Sequence, residues 1–247
     1  RLLESVWSAD DIGSVDIDYP EPLGLEGRAG YYDGAGALVD MIQSHLLQVM
    51  AFVTMEPPAS LTQLDLRDAT SAVLRATHVR DDDPVRNSRR ARYTAGSVGD
   101  RHFSSYVDEP GVDPERGTET LAEMTVEVRN ARWQGVPITL RSGKALSSGH
   151  RAVTVTFQPV RHLPGGFVGE SEPSELVFSL GPDTMSLGLN VNGADDPLEL
   201  ERVTLAADLG EGALKAYGEV LSGILDGDAM LAVRGDAAEQ CWRIVQP

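Results

Sequence analysis

The chain has 247 residues, of which 41% are hydrophobic and 24% are charged, as expected for a globular protein long enough to bury a core. Its net charge of −17 disfavours nucleic acid and anionic membranes as partners. The single cysteine, Cys241, excludes an intrachain disulfide and a cysteine-based metal site, and it favours a cytoplasmic location.

The amino terminus shows no signal peptide, and we identify no apolar run of transmembrane length along the chain. The chain begins at Arg1 rather than at methionine, and regular patterning starts at once. We therefore interpret it as a fragment, as a processed product, or as a chain with further residues upstream.

The first predicted elements are a strand and a long helix. Residues 15–19 alternate apolar and acidic side chains, which is typical of a half-exposed strand. After a loop rich in proline and glycine, Asp33 is the predicted N-cap of a helix from about residue 36 to 55. This helix is apolar on nearly all sides, so we expect it to be buried. Its polar residues then stand out: Asp40, Gln43, Ser44, His45 and Gln48.

The remaining elements predict the fold class. A second helix over residues 62–76 and a loose region rich in Asp and Arg are followed mainly by strands. The strands are predicted at residues 121–128, 136–140, 153–157, 175–180 and 184–191, and a helix at 212–226 precedes a short carboxy-terminal segment. Two helices followed by many strands predict an α+β fold with a largely antiparallel sheet.

The residues alone indicate no nucleotide-binding or metal motif. The stretch 30–36, GYYDGAG, is the nearest approach to a dinucleotide fingerprint, but its spacing is wrong and it follows a loop instead of a strand. We also find no P-loop, zinc-ligand spacing or nucleophile elbow. Without further information, the sequence predicts an α+β domain with a histidine on a buried helix.

Three stretches together resemble glucose-6-phosphate dehydrogenase. They are EGRAGYYDGAGALVDMIQSHLLQVMAFVTMEPP at residues 26–58, TETLAEMTVEVRNARWQGVPITLRSGKAL at 118–146 and GILDGDAMLAVRGDAAEQCWRIVQP at 223–247. They follow the family's order and are specific in combination. The resemblance implies that residues 1–247 form one carboxy-terminal domain, and that the amino-terminal NADP-binding domain would precede Arg1.

The resemblance also implies a fold and an assembly. The expected fold is a large, mostly antiparallel sheet with helices packed on one face. We expect the other face to present a wide apolar surface, which two sheets related by a two-fold axis would cover. The expected assembly is therefore a homodimer or tetramer formed through the sheet.

The implied activity is NADP-dependent oxidation of glucose 6-phosphate at C1 to 6-phosphogluconolactone, the first step of the pentose phosphate pathway. NADP would be bound mainly by the missing domain, so this chain alone is expected to be inactive, and no metal is required. An alternative from another class is a catalytically silent paralogue that serves as an oligomerisation or binding subunit.

The resemblance assigns His45 as the catalytic base. A lone histidine on an apolar helix is otherwise more often a core residue. Histidine, with an ordinary pKa of about 6.5, is nevertheless suited to accept the proton of the C1 hydroxyl at neutral pH. The family's pattern places substrate contacts at Glu21, Asp40 and Lys144. Asp40 lies five positions before His45, and on an ideal α-helix this spacing does not bring the two together.

Lys144 would otherwise be interpreted as a solvated surface lysine, but Gly143 before it permits a tight turn that would aim its side chain inward. Other residues that match the family are interpreted as structural: Arg28, Tyr31, Tyr32 and Asp33 as loop and helix start, and Trp133, Gly135 and Pro137 as turn and core.

Four positions depart from the family's pattern and are expected to weaken substrate affinity. Gly149 replaces an Arg or Lys, Gly181 replaces a Gln, Ser44 replaces an Asn, and Val39 stands where Arg is frequent. His150 or Arg151 is the candidate replacement for the cation missing at position 149.

Overall fold

A computed structural model describes residues 3–146, 150–210 and 216–246. Its helices are α1 (Ala29–Ala37), a π-helix (Leu38–Leu46), α2 (Leu47–Thr54), α3 (Gln63–Ala76), α4 (Ala216–Asp226) and α5 (Gly235–Val245). Its strands are β1 (Ile12–Pro20), β2 (Thr77–Val79), β3 (Ser88–Ala91), β4 (Gly96–Val98), β5 (Arg101–Phe103), β6 (Leu121–Val128), β7 (Ile138–Gly143), β8 (Ala152–Phe157), β9 (Glu175–Leu180), β10 (Asp183–Asn192) and β11 (Leu200–Asp208). Short 3₁₀ turns lie at Glu4–Val6, Arg80–Asp82, Tyr106–Asp108 and Pro114–Arg116.

Nine strands of the described chain form one sheet in the order β11-β10-β9-β8-β1-β7-β6-β2, with β3 also paired to β6. Strands β1 and β7 run parallel, whereas the other pairs in this sheet are antiparallel. Strands β4 and β5 form a separate hairpin. The predicted α+β class with a mostly antiparallel sheet is therefore confirmed.

The helices cover one face of the sheet, also as expected. Val15 and Ile17 of β1 lie opposite Ile138 and Leu140 of β7, and these four fully buried side chains point to the helical side. They form one core with the π-helix, α2, α3 and α5. Strand alternation thus places apolar side chains under the helices and fixes the register, because a shift by one residue would expose them.

The uncovered face is polar, which corrects the expectation of a wide apolar surface. Asp16 and Asp18 of β1 lie opposite Thr139 and Arg141 of β7, and Glu123 of β6 lies opposite Arg141. The Arg141 guanidinium lies 3.8 Å from Asp18 and 3.7 Å from Glu123. Burial, together with the nearby charge of Asp18, raises the pKa of Asp16 above its ordinary value of 3.8.

We expect Asp16→Asn to raise the free energy of unfolding at pH 7 by roughly 0.5 kcal/mol, the order of one repulsive pair on a strand surface. The pKa of Asp16 is higher in the folded than in the unfolded state, so the folded state binds more protons between the two values. The free energy of unfolding therefore falls as pH rises from the unfolded-state pKa to the folded-state pKa of Asp16. Asparagine does not titrate, so the variant does not suffer this decrease.

Urea unfolding at pH 7 and below pH 3.8 measures this effect. The gain in unfolding free energy from Asp16→Asn should disappear at the lower pH, where the Asp16 carboxyl is protonated in the folded and in the unfolded state. Asp10→Asn, at an exposed position, is the control. A less stable Asn variant at pH 7 would show that the Ser14 and Thr139 hydrogen bonds outweigh the burial of Asp16.

The long helical run begins earlier than predicted, at Ala29, so Asp33 lies inside α1 and is not its N-cap. The Asp33 carboxylate is buried and accepts hydrogen bonds from the Tyr106 hydroxyl at 2.7 Å and the Asp113 N–H at 3.0 Å. Burial opposes the charged form of Asp33, but these bonds and Arg116 outweigh it, so its pKa lies below the ordinary value. Asp33 therefore ties α1 to the loop at residues 106–116.

Gly36 breaks the helical run with a φ of +70°, a conformation that favours glycine. A Cβ added there would lie 2.5 Å from Oε1 of Glu119. The same carboxylate accepts the Leu38 N–H at 3.0 Å, which satisfies a donor at the start of the π-helix. The glycine therefore makes room for the side chain that caps the next helical segment.

The run Ala29–Thr54 is long and apolar enough to match a membrane span by length and composition, which the sequence interpretation did not recognise. Its most apolar window has a mean hydropathy of 1.3, and 44% of that window is buried. The fully buried side chains Ile42, Leu46, Leu47 and Met50 pack in the core beside the sheet. The hydropathy of this run is thus used for internal packing.

Candidate functional site

Strands β1 and β7 bring two of the predicted site residues together. Parallel strands end at the same edge of a sheet, and Pro20 lies opposite Gly143 at that edge. Glu21 follows β1 and Lys144 follows β7, and their side chains meet with Nζ 2.7 Å from Oε2. Lys144 is 3% exposed, so its ammonium is held inside the protein and not in solvent.

The backbone around Lys144 explains how a lysine becomes buried there. Its N–H donates to the carbonyl of Thr120 at 2.8 Å. A Cβ on Gly143 would lie 2.9 Å from that carbonyl oxygen, so glycine permits the close approach of β7 and the end of the 118–120 segment. The tight turn expected at Gly143 lies two residues later, because the residue with a positive φ, 54°, is Ala145.

The helix that carries Asp40 and His45 is a π-helix, not the predicted α-helix. Its hydrogen bonds join residues five apart, so Asp40 and His45 lie on the same side, one turn apart. The spacing argument for an ideal α-helix therefore fails here. Asp40 is half-buried and His45 is exposed, which also corrects the expectation that this helix is buried on nearly all sides.

Ser44, beside His45, directs its hydroxyl to the backbone. The hydroxyl donates to the carbonyl oxygen of Asp40, one turn earlier. This bond engages the only proton that the Ser44 side chain can donate. The Ser44 hydroxyl is therefore not free to donate to a substrate, in agreement with the loss of a donor inferred from the sequence.

Two tyrosines connect the Glu21–Lys144 pair with Asp40. The charge of Asp40 raises the pKa of the exposed Tyr31 hydroxyl. Burial, followed by the charge of Asp40, raises the pKa of Tyr32, and the charge of Glu21 acts in the same direction. The Lys144 ammonium lies 5.0 Å from the centre of the Tyr32 ring. The sequence interpretation treated Tyr32 as structural and missed this contact, because its only signal was the second tyrosine of GYYDGAG.

Arg151 lies at the same edge of the sheet, directly before β8 and beside the end of β1. Its guanidinium is 4.7 Å from the centre of the Tyr19 ring. Its carbonyl oxygen accepts the Leu180 N–H at 2.6 Å, so the β9–β10 turn with Gly181 also lies at this edge. Gly149 falls outside the described residues. Arg151 therefore remains a candidate for the cation that Gly149 lacks.

The chemical capability of this edge follows from its side chains. Glu21 and Asp40 offer carboxylate oxygens that accept hydrogen bonds from hydroxyl groups, and Lys144 offers N–H donors and a positive charge. His45 offers an exposed imidazole that can take a proton. Among residues 3–146, 150–210 and 216–246, no group of three or more His, Cys, Asp or Glu side chains is placed to hold a metal.

The clefts in the described part of the chain overlap the candidate site only in part. One of about 370 Å³ reaches Lys144 and is lined otherwise by residues around β3, β4 and β6. Another of about 710 Å³ lies at the β3–β6 edge, between Leu38, Arg90 and Glu119. His45 and Asp40 line neither cleft, so we place the site on the chemistry of its side chains and not on cavity size.

The fold is that of an α+β domain with a mixed sheet, and the candidate site at its edge offers hydrogen-bond partners that suit a polar, hydroxylated ligand. The family profile described as "Glucose-6-phosphate dehydrogenase, C-terminal domain" matches residues 1–247. The chain therefore belongs to the glucose-6-phosphate dehydrogenase family and corresponds to its carboxy-terminal domain.

Individual relatives agree with this. The glucose-6-phosphate 1-dehydrogenase of Aggregatibacter actinomycetemcomitans is 35% identical over 99% of this chain and 50% of its own length. That of Mycolicibacterium smegmatis is 37% identical over 99% of this chain and 51% of its own length. This chain thus spans about half the length of these relatives.

Solved structures agree with the fold. The glucose-6-phosphate 1-dehydrogenase of Mycobacterium avium superposes with a TM-score of 0.85 at 35% identity, over 100% of this chain and 51% of that one. A glucose-6-phosphate dehydrogenase in complex with its substrate glucose-6-phosphate superposes with a TM-score of 0.83 at 31% identity, over 100% of this chain and 50% of that one.

Proposed function

We propose that this chain is the substrate-binding domain of a cytoplasmic, NADP-dependent glucose-6-phosphate dehydrogenase. The reaction oxidises C1 of glucose 6-phosphate to 6-phosphogluconolactone, the first step of the pentose phosphate pathway. Family membership, the names of the relatives and the substrate complex of a structural neighbour support this proposal. Residues 1–247 act in it as a single domain joined to a dinucleotide-binding half.

The contact that supports the proposal most is the ion pair between the buried Lys144 and the half-buried Glu21. The Tyr32 ring lies beside this lysine, and the charge of Asp40 raises the pKa of the Tyr32 hydroxyl, after the larger effect of burial. Glu21 and Asp40 accept hydrogen bonds from sugar hydroxyls, and the Lys144 ammonium donates to the sugar phosphate. His45, one π-helical turn after Asp40, accepts the proton of the C1 hydroxyl as hydride leaves C1. Its exposure leaves the ring accessible to that hydroxyl.

The described residues do not fit a dinucleotide. The glycines of residues 30–36 lie within α1, which a loop precedes, whereas a pyrophosphate site needs a glycine-rich turn between a strand and a helix. We assign NADP binding to the other half of the enzyme.

The test compares NADP⁺ reduction, followed by absorbance with glucose 6-phosphate, for the full-length enzyme that contains this chain and for this chain alone. We expect turnover by the full-length enzyme and none by the chain alone. Turnover by the chain alone contradicts the division of roles. A full-length protein that binds glucose 6-phosphate without turning it over would be a silent binding subunit instead.

We also propose that the domain forms a homodimer or tetramer through its sheet, at the end formed by β9, β10 and β11. This end carries exposed apolar side chains, among them Leu205 at 59% exposure, whereas the uncovered face near β1 is polar.

Light scattering at micromolar concentration should give at least a dimer. Leu205→Asp should shift it towards monomer, while Val85→Asp, at the far edge and 89% exposed, should not. A wild-type monomer would contradict the proposal.

A further inference from the structure

Tyr32 is buried directly beside the functional lysine. Its side chain is 2% exposed, and its ring centre lies 5.0 Å from Nζ of Lys144. A cation within about 6 Å of an aromatic ring centre is attracted to the negative face of the ring. Glu21 contacts the same ammonium at 2.7 Å. The ammonium is thus held by a carboxylate and by an aromatic ring at once.

A second aromatic ring fixes the position of Tyr32. The Tyr106 ring packs edge-on against it, with ring centres 6.4 Å apart and an interplanar angle of 72°. Tyr106 is itself fully buried and is tied by its hydroxyl to Asp33. Tyr93 packs edge-on against Tyr106 from the other side at 5.8 Å. The ring face beside Lys144 is therefore part of a small hydrophobic core.

The Tyr32 hydroxyl does not account for this arrangement. It is buried and has no hydrogen-bond partner among the described residues, and a buried unpaired hydroxyl destabilises the folded state. What Tyr32 contributes to its surroundings is the ring. A phenylalanine ring would offer the same face without the unpaired group.

We propose that Tyr32 is a positioning residue for Lys144. Its ring face and Glu21 together fix the ammonium, so that the remaining N–H donors point to the ligand before it binds. The identity of that ligand as a sugar phosphate rests on the proposed function. The placement of Lys144 by the ring does not, because it is a property of the chain without ligand.

The kinetic test uses the full-length enzyme with Tyr32→Phe and Tyr32→Leu. We expect Tyr32→Leu to raise KM for glucose 6-phosphate by about 2-fold to 30-fold, the factor that corresponds to a cation–π contact of about 0.5–2 kcal/mol. Because His45 is not touched, kcat should stay within about twofold. Tyr32→Phe should keep the wild-type KM and be at least as stable. If Phe loses as much as Leu, the hydroxyl is the functional group and the proposal is overturned.

A series of fluorinated phenylalanines at position 32 guards against a packing defect in Tyr32→Leu. Successive fluorine atoms keep the shape of the ring while they weaken the negative charge of its face. We expect KM to rise stepwise along the series, and a flat series would overturn the proposal.

The placement of Lys144 can be measured without any activity. The 247-residue chain has two lysines, Lys144 and Lys215, so lysine labelled with ¹³C at the ε position gives two NMR signals, and Lys215→Arg assigns them. The ring current of Tyr32 should shield the ε-methylene protons of Lys144. Tyr32→Leu should move that signal downfield, and Tyr32→Phe should leave it in place. An unchanged signal in Tyr32→Leu overturns the proposal. A shifted signal together with no response to glucose 6-phosphate would show instead that the proposed function is wrong.

Discussion

Replacement of His45 by asparagine in the full-length enzyme is expected to lower kcat by about 10²–10⁴-fold, the usual range for loss of a general base. Asparagine is polar and smaller but cannot accept a proton at neutral pH. The fold should survive, because His45 is exposed and its side chain makes no hydrogen bond or ion pair with the residues that the structure describes. Steady-state kinetics and thermal unfolding of the same preparation separate the two effects.

His162→Asn is the matched control, since His162 is also an exposed histidine but lies in the loop between β8 and β9. It should leave kcat and the unfolding temperature unchanged. If His45→Asn changes kcat by no more than twofold, His45 does not carry the proton transfer and the assignment is wrong.

Replacement of Lys144 by methionine is expected to raise KM for glucose 6-phosphate by about 10-fold to 100-fold. A hydrogen bond to a charged group contributes about 1.5–3 kcal/mol, and methionine keeps most of the length of the side chain while removing the ammonium. Folding should be weakened as well, because the half-buried Glu21 carboxylate then lacks its partner. Initial-rate kinetics and urea unfolding measure the two effects.

The double variant Glu21→Gln/Lys144→Met distinguishes a ligand contact from a purely structural ion pair. With both charges removed, stability should recover, since no unpaired carboxylate remains. KM should stay high, because the ammonium that donates to the substrate is still missing. Recovery of KM in the double variant would show that Lys144 acts only by neutralising Glu21.

The parts of the fold that the sequence predicted well are those with a local pattern. Strands β6 at residues 121–128 and β9 at residues 175–180 were predicted with the observed bounds, and α3 begins one residue after the predicted start at Thr62. The edge strand β11 and the helix α5 were missed. The side chains of β11 are mostly exposed, so burial imposes little alternation on that sequence. The first residues of the predicted helix at 212–226 lie outside the described residues, and α4 covers the remainder.

The site was predictable only in part, for a physical reason. The residues Glu21, Asp40, His45 and Lys144 came from a family resemblance, whereas their geometry depends on contacts that no local pattern encodes. The parallel pairing of β1 with β7 joins Glu21 to Lys144 across more than a hundred residues. The π-helical hydrogen bonds that place Asp40 and His45 on the same side begin just after the break at Gly36, and no local sequence pattern distinguishes them from α-helical ones.

A crystal structure of the full-length enzyme with glucose 6-phosphate is the most direct test of the assignment of this domain as the substrate-binding part. We predict the C1 hydroxyl within hydrogen-bond reach of a ring nitrogen of His45, at about 2.6–3.2 Å, with Asp40, Glu21 and Lys144 in contact with the sugar phosphate. A sugar phosphate seated elsewhere, for example in the cleft between Leu38, Arg90 and Glu119, with no contact to His45 or Lys144, would contradict it.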